Sequence, residues 1–287
     1  MRFRISYFLG VALLILSGCT ANDTTTARSE AEQPENGIVP ATQPDSQAIE
    51  KINTLFSMTP AAQQAKEVAV AQCLKSQGYT WDLQSVSESY DIRSDFSPRP
   101  LSVEEAQERG YQTLSTNSEQ NQPDIDDATW AAYMGNPENG GISVDGIPGA
   151  IAADGCLAQS YKAVFGSAEA GVLFESGIQN LPLPYIGAAQ MDSKQEELNQ
   201  RWSACMKDHY GIEIQTPDLA SVDTSMDSHQ LAMYDAQCRQ EVNYEKVTTE
   251  ILNAYLTTFL TDNEGIIDQL TQAKQTAEKN APEILGR

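Results

Sequence analysis

The placement of five cysteines, at positions 19, 73, 156, 205 and 238, constrains this chain more than any other feature. Cys19 stands apart, because it closes an N-terminal apolar run in "LILSGCTANDTTT" and is followed by a polar, threonine-rich stretch. Cys73, Cys156, Cys205 and Cys238 remain, an even number, which in an oxidising compartment reads as two disulfides. Four cysteines allow three pairings, and spacing alone leaves all three open. None of the four stands in CxxC spacing, which argues against a thioredoxin-like redox centre or a zinc ribbon.

The N-terminus explains why Cys19 is different. Arg2 and Arg4 form a positive n-region, Ile5 to Leu16 a twelve-residue apolar h-region, and Ser17-Gly18 the small residues a peptidase requires beside its cut. The run is too short to span a bilayer, which takes about 20 apolar residues. Leu16-Ser17-Gly18-Cys19 resembles the bacterial lipobox. That resemblance implies a diacylglyceryl thioether on Cys19, cleavage just before it, and a mature chain that begins there. The competing reading is an ordinary signal peptide that contains a cysteine. Each buried CH₂ contributes about 0.8 kcal/mol, so two or three acyl chains give a firm anchor where one does not. Residues 19–47 then read as the lipidated cysteine and a tether, since Thr, Asn, Glu, Gln, Pro and Ala predominate and too few apolar side chains follow Thr20 to offset ordering entropy.

Loss of residues 1–18 removes two arginines and no acids, leaving 16 basic against 40 acidic residues and a formal charge of −24. Such a surface excludes nucleic acid, and it excludes lying flat on an anionic membrane. A solvated acidic exterior accounts for the charge; a cationic partner or calcium is the alternative. About 240 residues follow the tether and 40% of the chain is hydrophobic, enough for a real core.

The periodicity is mainly helical. Ile49, Ile52 and Phe56 mark a first amphipathic helix, and Thr59-Pro60 open a second that carries Val70, Cys73 and Leu74 and ends near Gly78. Residues 79–100 alternate and are proline-punctuated, so irregular structure or short strand is expected. Ser102-Val103-Glu104-Glu105 is a capping box for a helix closing at Gly110. Residues 111–128 read as a surface loop, Asp127 to Met134 as a short helix, and "GNPENGGISVDGIPG" as a loop before a helix with Cys156, Leu157, Tyr161, Val164 and Phe165. "QNLPLPYIG" reads as an extended linker between a first helical half, 48–185, and a second, 186–287. In the second half Ser193 caps a helix with Leu198, Trp202, Cys205 and Met206 on one stripe, and Pro217 starts a helix of one or two turns. From Ser228 to Leu260 one long helix of about 50 Å is expected. Its stripes are Tyr244/Val247/Ile251/Tyr255 and Leu252/Leu256/Phe259. Asp262 caps a final helix, with Ile266, Leu270, Ala273 and Ala277 on one side, that folds back antiparallel.

"AQCLKSQGYTWDLQ" and "SACMKDHYGIEIQT" echo each other: a helix ending in Cys-Leu/Met-Lys, a glycine beside an aromatic, a short extended stretch, then a second helix with another cysteine. The echo suggests two related hairpins, each stapled by its own bridge, Cys73–Cys156 and Cys205–Cys238. The expected fold is therefore mainly α: two disulfide-stapled helical hairpins in one helical domain. These sequences, with "LAMYDAQCRQEVNYEKV" and its Asp235-x-x-Cys238-Arg239, resemble an uncharacterised family of secreted, lipid-anchored actinobacterial proteins over about residues 60–287. The departure is Tyr210, which precedes Gly211 where the family places its aromatic after the glycine. The resemblance implies an address, the outer leaflet of a Gram-positive cytoplasmic membrane, and brings no catalytic residues.

Chemistry is sparse. No Gly-x-Ser-x-Gly elbow exists, and His209 and His229 are the only near-neutral bases. Cys205 and His209 stand i, i+4, a spacing that pairs a thiolate with an imidazole or holds a metal, but a bridged Cys205 leaves His209 as the polar end of a helix. Asp124, Asp126 and Asp127 lack the glycine and distal glutamate of a calcium loop and fit a helix N-terminus better. "NGGISVDGIPG" lacks a phosphate-loop lysine. The remaining candidate is a ligand groove built from Trp81, Tyr90, Tyr111, Trp130 and Tyr133. No catalytic residue, cofactor or metal is assigned. The expected role is a non-enzymatic binding or accessory protein on the extracytoplasmic face of the cell membrane, held through Cys19 and meeting an envelope protein or the cell wall. The alternative is a glycan-binding module or hydrolase using carboxylates and aromatics of residues 79–145.

Overall fold

A computed structural model describes residues 37–82, 90–96, 101–111, 125–223 and 226–286. The expected signal peptide, Cys19, most of the expected tether, Asp124 and parts of the two predicted loops lie outside the described residues.

Side-chain caps open six of the α-helices among the described residues. After α1 (Ala48–Phe56), the Thr59 side chain accepts from Ala62 N and Pro60 occupies the first turn of α2 (Pro60–Ser76). A four-residue helix, α3 (Arg93–Phe96), falls where irregular structure or strand is expected, and buries Phe96. Both bonds of the capping box between Ser102 and Glu105 open α4 (Val103–Arg109). Asp126 caps α5 (Asp127–Met134) by accepting from Ala128 N and Thr129 N. The glycine-rich loop contains a 3₁₀ turn at Pro137–Asn139 and two short antiparallel strands, β1 (Gly141–Ile142) and β2 (Ile151–Ala152), with Gly141 opposite Ala152. Next come α6 (Cys156–Phe165), α7 (Ala168–Asn180) and α8 (Leu183–Gln190).

"QNLPLPYIG" is therefore not an extended linker. α7 runs through Asn180, and both prolines are accommodated at the start of α8, where no N–H is needed: Pro182 is its N-cap and Pro184 lies in its first turn. α9 (Ser193–Tyr210) is capped by Asp192, whose side chain accepts from Lys194 N, rather than by Ser193; Gly211 closes it at φ 70°. α10 (Pro217–Val222) follows. The single long helix expected over 228–260 is two helices, α11 (Ser228–Glu241) and α12 (Tyr244–Asp262), broken at Asn243, which adopts left-handed φ 53° and ψ 42°. The cause is tertiary: α11 packs on α4 and α9, whereas α12 packs on α1, α8 and α9. α12 extends through Asp262, so the turn into α13 (Glu264–Ile284) is made at Asn263. α13 lays Leu270, Ala273, Ala277 and Ala281 chiefly on α2, α6 and α7.

Two main cores result. The larger gathers Ile52, Phe56, Val164, Phe174, Ile186, Leu256, Phe259 and Leu270 from both halves of the chain. The smaller holds Leu198, Trp202, Met206, Ile214, Leu231 and Tyr244 between α9, α11 and the start of α12. Each large side chain so buried contributes about 1.5–3 kcal/mol, so the larger core dominates stability. Residues 37–47, expected within the tether, run along α12. Thr258 Oγ1 donates to Val39 O (2.9 Å), Ala41 N to Ala254 O (3.1 Å) and Asp45 N to Thr257 Oγ1 (2.9 Å). Two threonines and the Ala254 carbonyl of α12 supply these partners, which composition does not reveal. No helix among the described residues is long and apolar enough to cross a membrane.

Candidate functional site

Both bridges close as the internal echo suggests. Cys73–Cys156 joins α2 to α6 with Cα atoms 5.6 Å apart, and Cys205–Cys238 joins α9 to α11 at 5.7 Å. Geometry of this kind is within the ordinary disulfide range.

Of the five aromatics expected to line a groove, the structure brings three together. Trp81 stacks on Tyr133 with ring centroids 4.9 Å apart, and Trp130 tilts against the same ring at 5.3 Å. Two glycines make this possible. A Cβ on Gly135 would lie 2.5 Å from Gly155 N, and one on Gly155 would lie 2.5 Å from Met134 O, so only glycine lets the end of α5 cross the start of α6 this closely. Tyr133 is thereby set beside Cys156, in a small cluster with Val70, Leu74 and Tyr79. Trp81 Nε1 donates to Glu67 Oε2 at 3.3 Å, and Trp130 is 50% exposed. Burial, reinforced by the charges of Glu67 and Glu175, pushes the Tyr133 hydroxyl up to about 12.

The other two are elsewhere, and the five-residue groove is corrected accordingly. Tyr90 packs edge-on against Phe56 at 5.4 Å and donates to Asp95 Oδ2 at 2.9 Å, a core-edge role. Tyr111 packs against both the small core and the α4–α11 contact. Its buried hydroxyl faces Asp235 without completing a hydrogen bond, and burial followed by that charge raises its pKa. Sequence proximity fails here because α4 docks on α11, far along the chain from α5.

The acidic cluster resolves into a cap. Asp126 accepts from Ala128 N, Thr129 N and Thr129 Oγ1, bonds that hold its carboxyl below the usual range.

A buried polar network that the sequence reading missed lies between α9 and α11. Trp202 Nε1 donates to Asp235 Oδ1 at 2.9 Å, and Arg239 Nε reaches both Asp235 oxygens at 2.9 and 3.0 Å. Arg239 also donates to Glu245 Oε1 at 3.1 Å and lies 5.0 Å over the Tyr244 ring. Burial disfavours the charged guanidinium, but Asp235 and Glu245 outweigh it and raise the Arg239 pKa. The signal was available: a tryptophan on an apolar stripe needs an acceptor for its N–H, and Asp235 and Arg239 stand i, i+4 beside Cys238. A groove of about 680 Å³ opens next to this network, lined by Ser102, Glu104, Gln237, Gln240 and Asn243.

Near the C-terminal ends of both helices, His209 Nε2 lies 3.2 Å from Glu241 Oε2, with Cys205 one turn away on α9. Cys205 is bridged in this state and offers no thiolate. No family model, curated protein or solved structure matches this chain.

Proposed function

We propose that the chain is a lipid-anchored extracytoplasmic protein whose helical domain binds another envelope component or serves as an accessory subunit, rather than an enzyme. The observation that carries this reading is that all four cysteines beyond Cys19 close two bridges, a state that persists in an oxidising compartment and agrees with export through the lipobox. The acyl chains on Cys19 then hold the domain to the outer leaflet, and the acidic exterior keeps it off anionic headgroups and nucleic acid. The likeness to secreted actinobacterial lipoproteins belongs to the same proposal. A non-reducing peptide map of protein taken from its native envelope tests the address. An acylated Cys19 at the mature N-terminus, with both bridges intact, is expected. An unprocessed N-terminus, or free thiols throughout, overturns it. Crosslinking in intact cells tests the role: a reproducible envelope partner is expected, and none across repeated captures counts against it.

The Trp81–Tyr133–Trp130 stack favours a second reading, a module that binds cell-wall glycan. A half-exposed indole backed by a second ring and set in a fixed frame suits the apolar face of a pyranose. Glycan fragments should quench tryptophan fluorescence and raise the melting temperature, with both effects lost in Trp130→Ala. Unchanged fluorescence and melting across a glycan panel would remove this reading, and turnover of any fragment would turn it into a hydrolase.

A further inference from the structure

The second bridge has neighbours that the first lacks. Beside Cys73–Cys156 stand neutral amides: Gln77 Nε2 is 3.3 Å from Cys156 Sγ, and Gln159 Oε1 is 3.4 Å from Cys73 Sγ. Beside Cys205–Cys238 stand an imidazole and a carboxylate. Cys205 and His209 lie one turn apart on α9, and Cys238 and Glu241 one turn apart on α11. A Cys205 sulfur, a His209 ring nitrogen and a Glu241 oxygen all fall within 4.8 Å of one another, and Cys238 Sγ is bonded to Cys205 Sγ. Metal bonds of about 2.0–2.3 Å in a tetrahedron require ligand atoms roughly 3.3–3.8 Å apart. His209 and Glu241 nearly meet that spacing at 3.2 Å, and opening the sulfur bond frees the two sulfurs to move apart towards it. The sulfurs are buried while His209 and Glu241 are about half exposed, which leaves soft ligands at the bottom and an open approach for an ion.

The helix pair does not depend on the sulfur bond for its register. On one side Trp202 donates to Asp235, within the Leu198, Met206 and Leu231 packing. On the other, Tyr210 stacks on Tyr234 with centroids 3.8 Å apart, and its hydroxyl donates to Gln237 Oε1 at 2.5 Å. On α9, Cys205 lies between the residues of these two clasps.

We propose that Cys205, Cys238, His209 and Glu241 form a four-ligand site for a thiophilic divalent cation such as zinc, and that the Cys205–Cys238 disulfide masks it. Opening the mask consumes an external dithiol. The dithiol gives two electrons and two protons to the S–S bond, which breaks into two thiols, and it closes into its own disulfide. The cation then displaces both thiol protons to water and forms two sulfur–metal bonds, with the imidazole nitrogen and the carboxylate oxygen completing the set. Exchange with an external disulfide, which takes up the two electrons and becomes a dithiol, re-forms the Cys205–Cys238 bond and releases the ion. The site does not need the glycan reading, and in the oxidising compartment that the lipid anchor implies it stays masked until a dithiol opens the bridge.

The test uses the full chain, reduced with dithiothreitol, desalted without oxygen and titrated with Co²⁺ as a spectroscopic stand-in for zinc. One cobalt per reduced chain is expected, with thiolate-to-cobalt charge transfer and the intense visible bands of tetrahedral coordination, and neither signal in the oxidised chain. Cys73→Ala/Cys156→Ala should keep the bands, and Cys205→Ala/Cys238→Ala should lose them. His209→Ala and Glu241→Gln alter half-exposed side chains, so they should leave the oxidised melting curve unchanged while weakening cobalt binding at least about tenfold. No charge-transfer band on reduction, a band that survives loss of Cys205 and Cys238, full affinity in both exposed-ligand variants, or a helix content that collapses on reduction and is not restored by cobalt would each overturn the proposal.

Discussion

Cys73–Cys156 joins helices already embedded in the larger core, where α13 and α7 cover them, whereas Cys205–Cys238 joins two helices whose shared core is small and built around a buried ion pair. The loops they close differ as well, spanning 83 and 33 residues. The first loop carries α3, α4, α5 and the strand pair; between α9 and α11, the second carries the short α10 among its described residues. A large apolar core holds its helices without directional bonds and tolerates long excursions between them. A small one needs its register fixed by bonds that point: Trp202 to Asp235, Arg239 to Asp235, Tyr210 to Gln237. One ground plan thus yields a scaffold in the first hairpin and a polar clasp in the second.

The bridges provide the largest test of that contrast. If loop entropy in the unfolded chain dominates, Cys73→Ala/Cys156→Ala should lose about 4.5 kcal/mol and Cys205→Ala/Cys238→Ala about 3.7 kcal/mol. Guanidinium denaturation followed by circular dichroism gives both values. A reversed order would show that the second hairpin leans on its bridge beyond the loop it closes, because its core is too small to compensate.

Asp235→Ala comes next, at about 3 kcal/mol, because it strands a buried guanidinium and the Trp202 N–H together. The loss falls at the low end for a buried pair since Glu245 still holds one Arg239 nitrogen. A second, earlier transition confined to Trp202 fluorescence would mean that the small core unfolds on its own. The apolar side has a counterpart in Gly171→Ala, where the added methyl would sit 2.3 Å from the Tyr161 ring across the α6–α7 contact. Overpacking of that kind should cost about 2 kcal/mol by the same assay. A neutral result would show that even the larger core can yield at its tightest point.

What could be read from the chain follows the range of the forces involved. Thr59-Pro60, the Ser102–Glu105 box and the ends of α5 were legible because a cap is a bond between residues two or three apart. The pairing of the cysteines was legible because two segments repeat one pattern. The gathering of Trp81, Trp130 and Tyr133 without Tyr90 or Tyr111 was not, since it depends on the backbones of Gly135 and Gly155 crossing, a contact between distant residues. Glu241 also escaped notice as a neighbour of His209. Yet once Cys205 is paired with Cys238, one helical turn beyond each cysteine brings those two side chains to the same place. The break after Glu241 was hidden for a different reason: apolar periodicity continues through it, and only the directions of α4, α9, α1 and α8 require two helices.

That break is where the smallest effect is expected. Asn243 holds a left-handed conformation between α11 and α12, which costs a residue with an ordinary Cβ about 1–2 kcal/mol and asparagine less. If packing on either side imposes the break, Asn243→Ala keeps the same turn and loses about 1 kcal/mol, with helix content unchanged. If asparagine itself makes the break, alanine lets the helix run on, the ellipticity rises, and Tyr244 is carried away from Gln195 and from the face of Arg239. The first outcome is expected, because a straight helix would have to give up either the small core at Leu231 and Cys238 or the larger one at Leu252, Leu256 and Phe259. Losing either apolar face costs several times what one strained residue does.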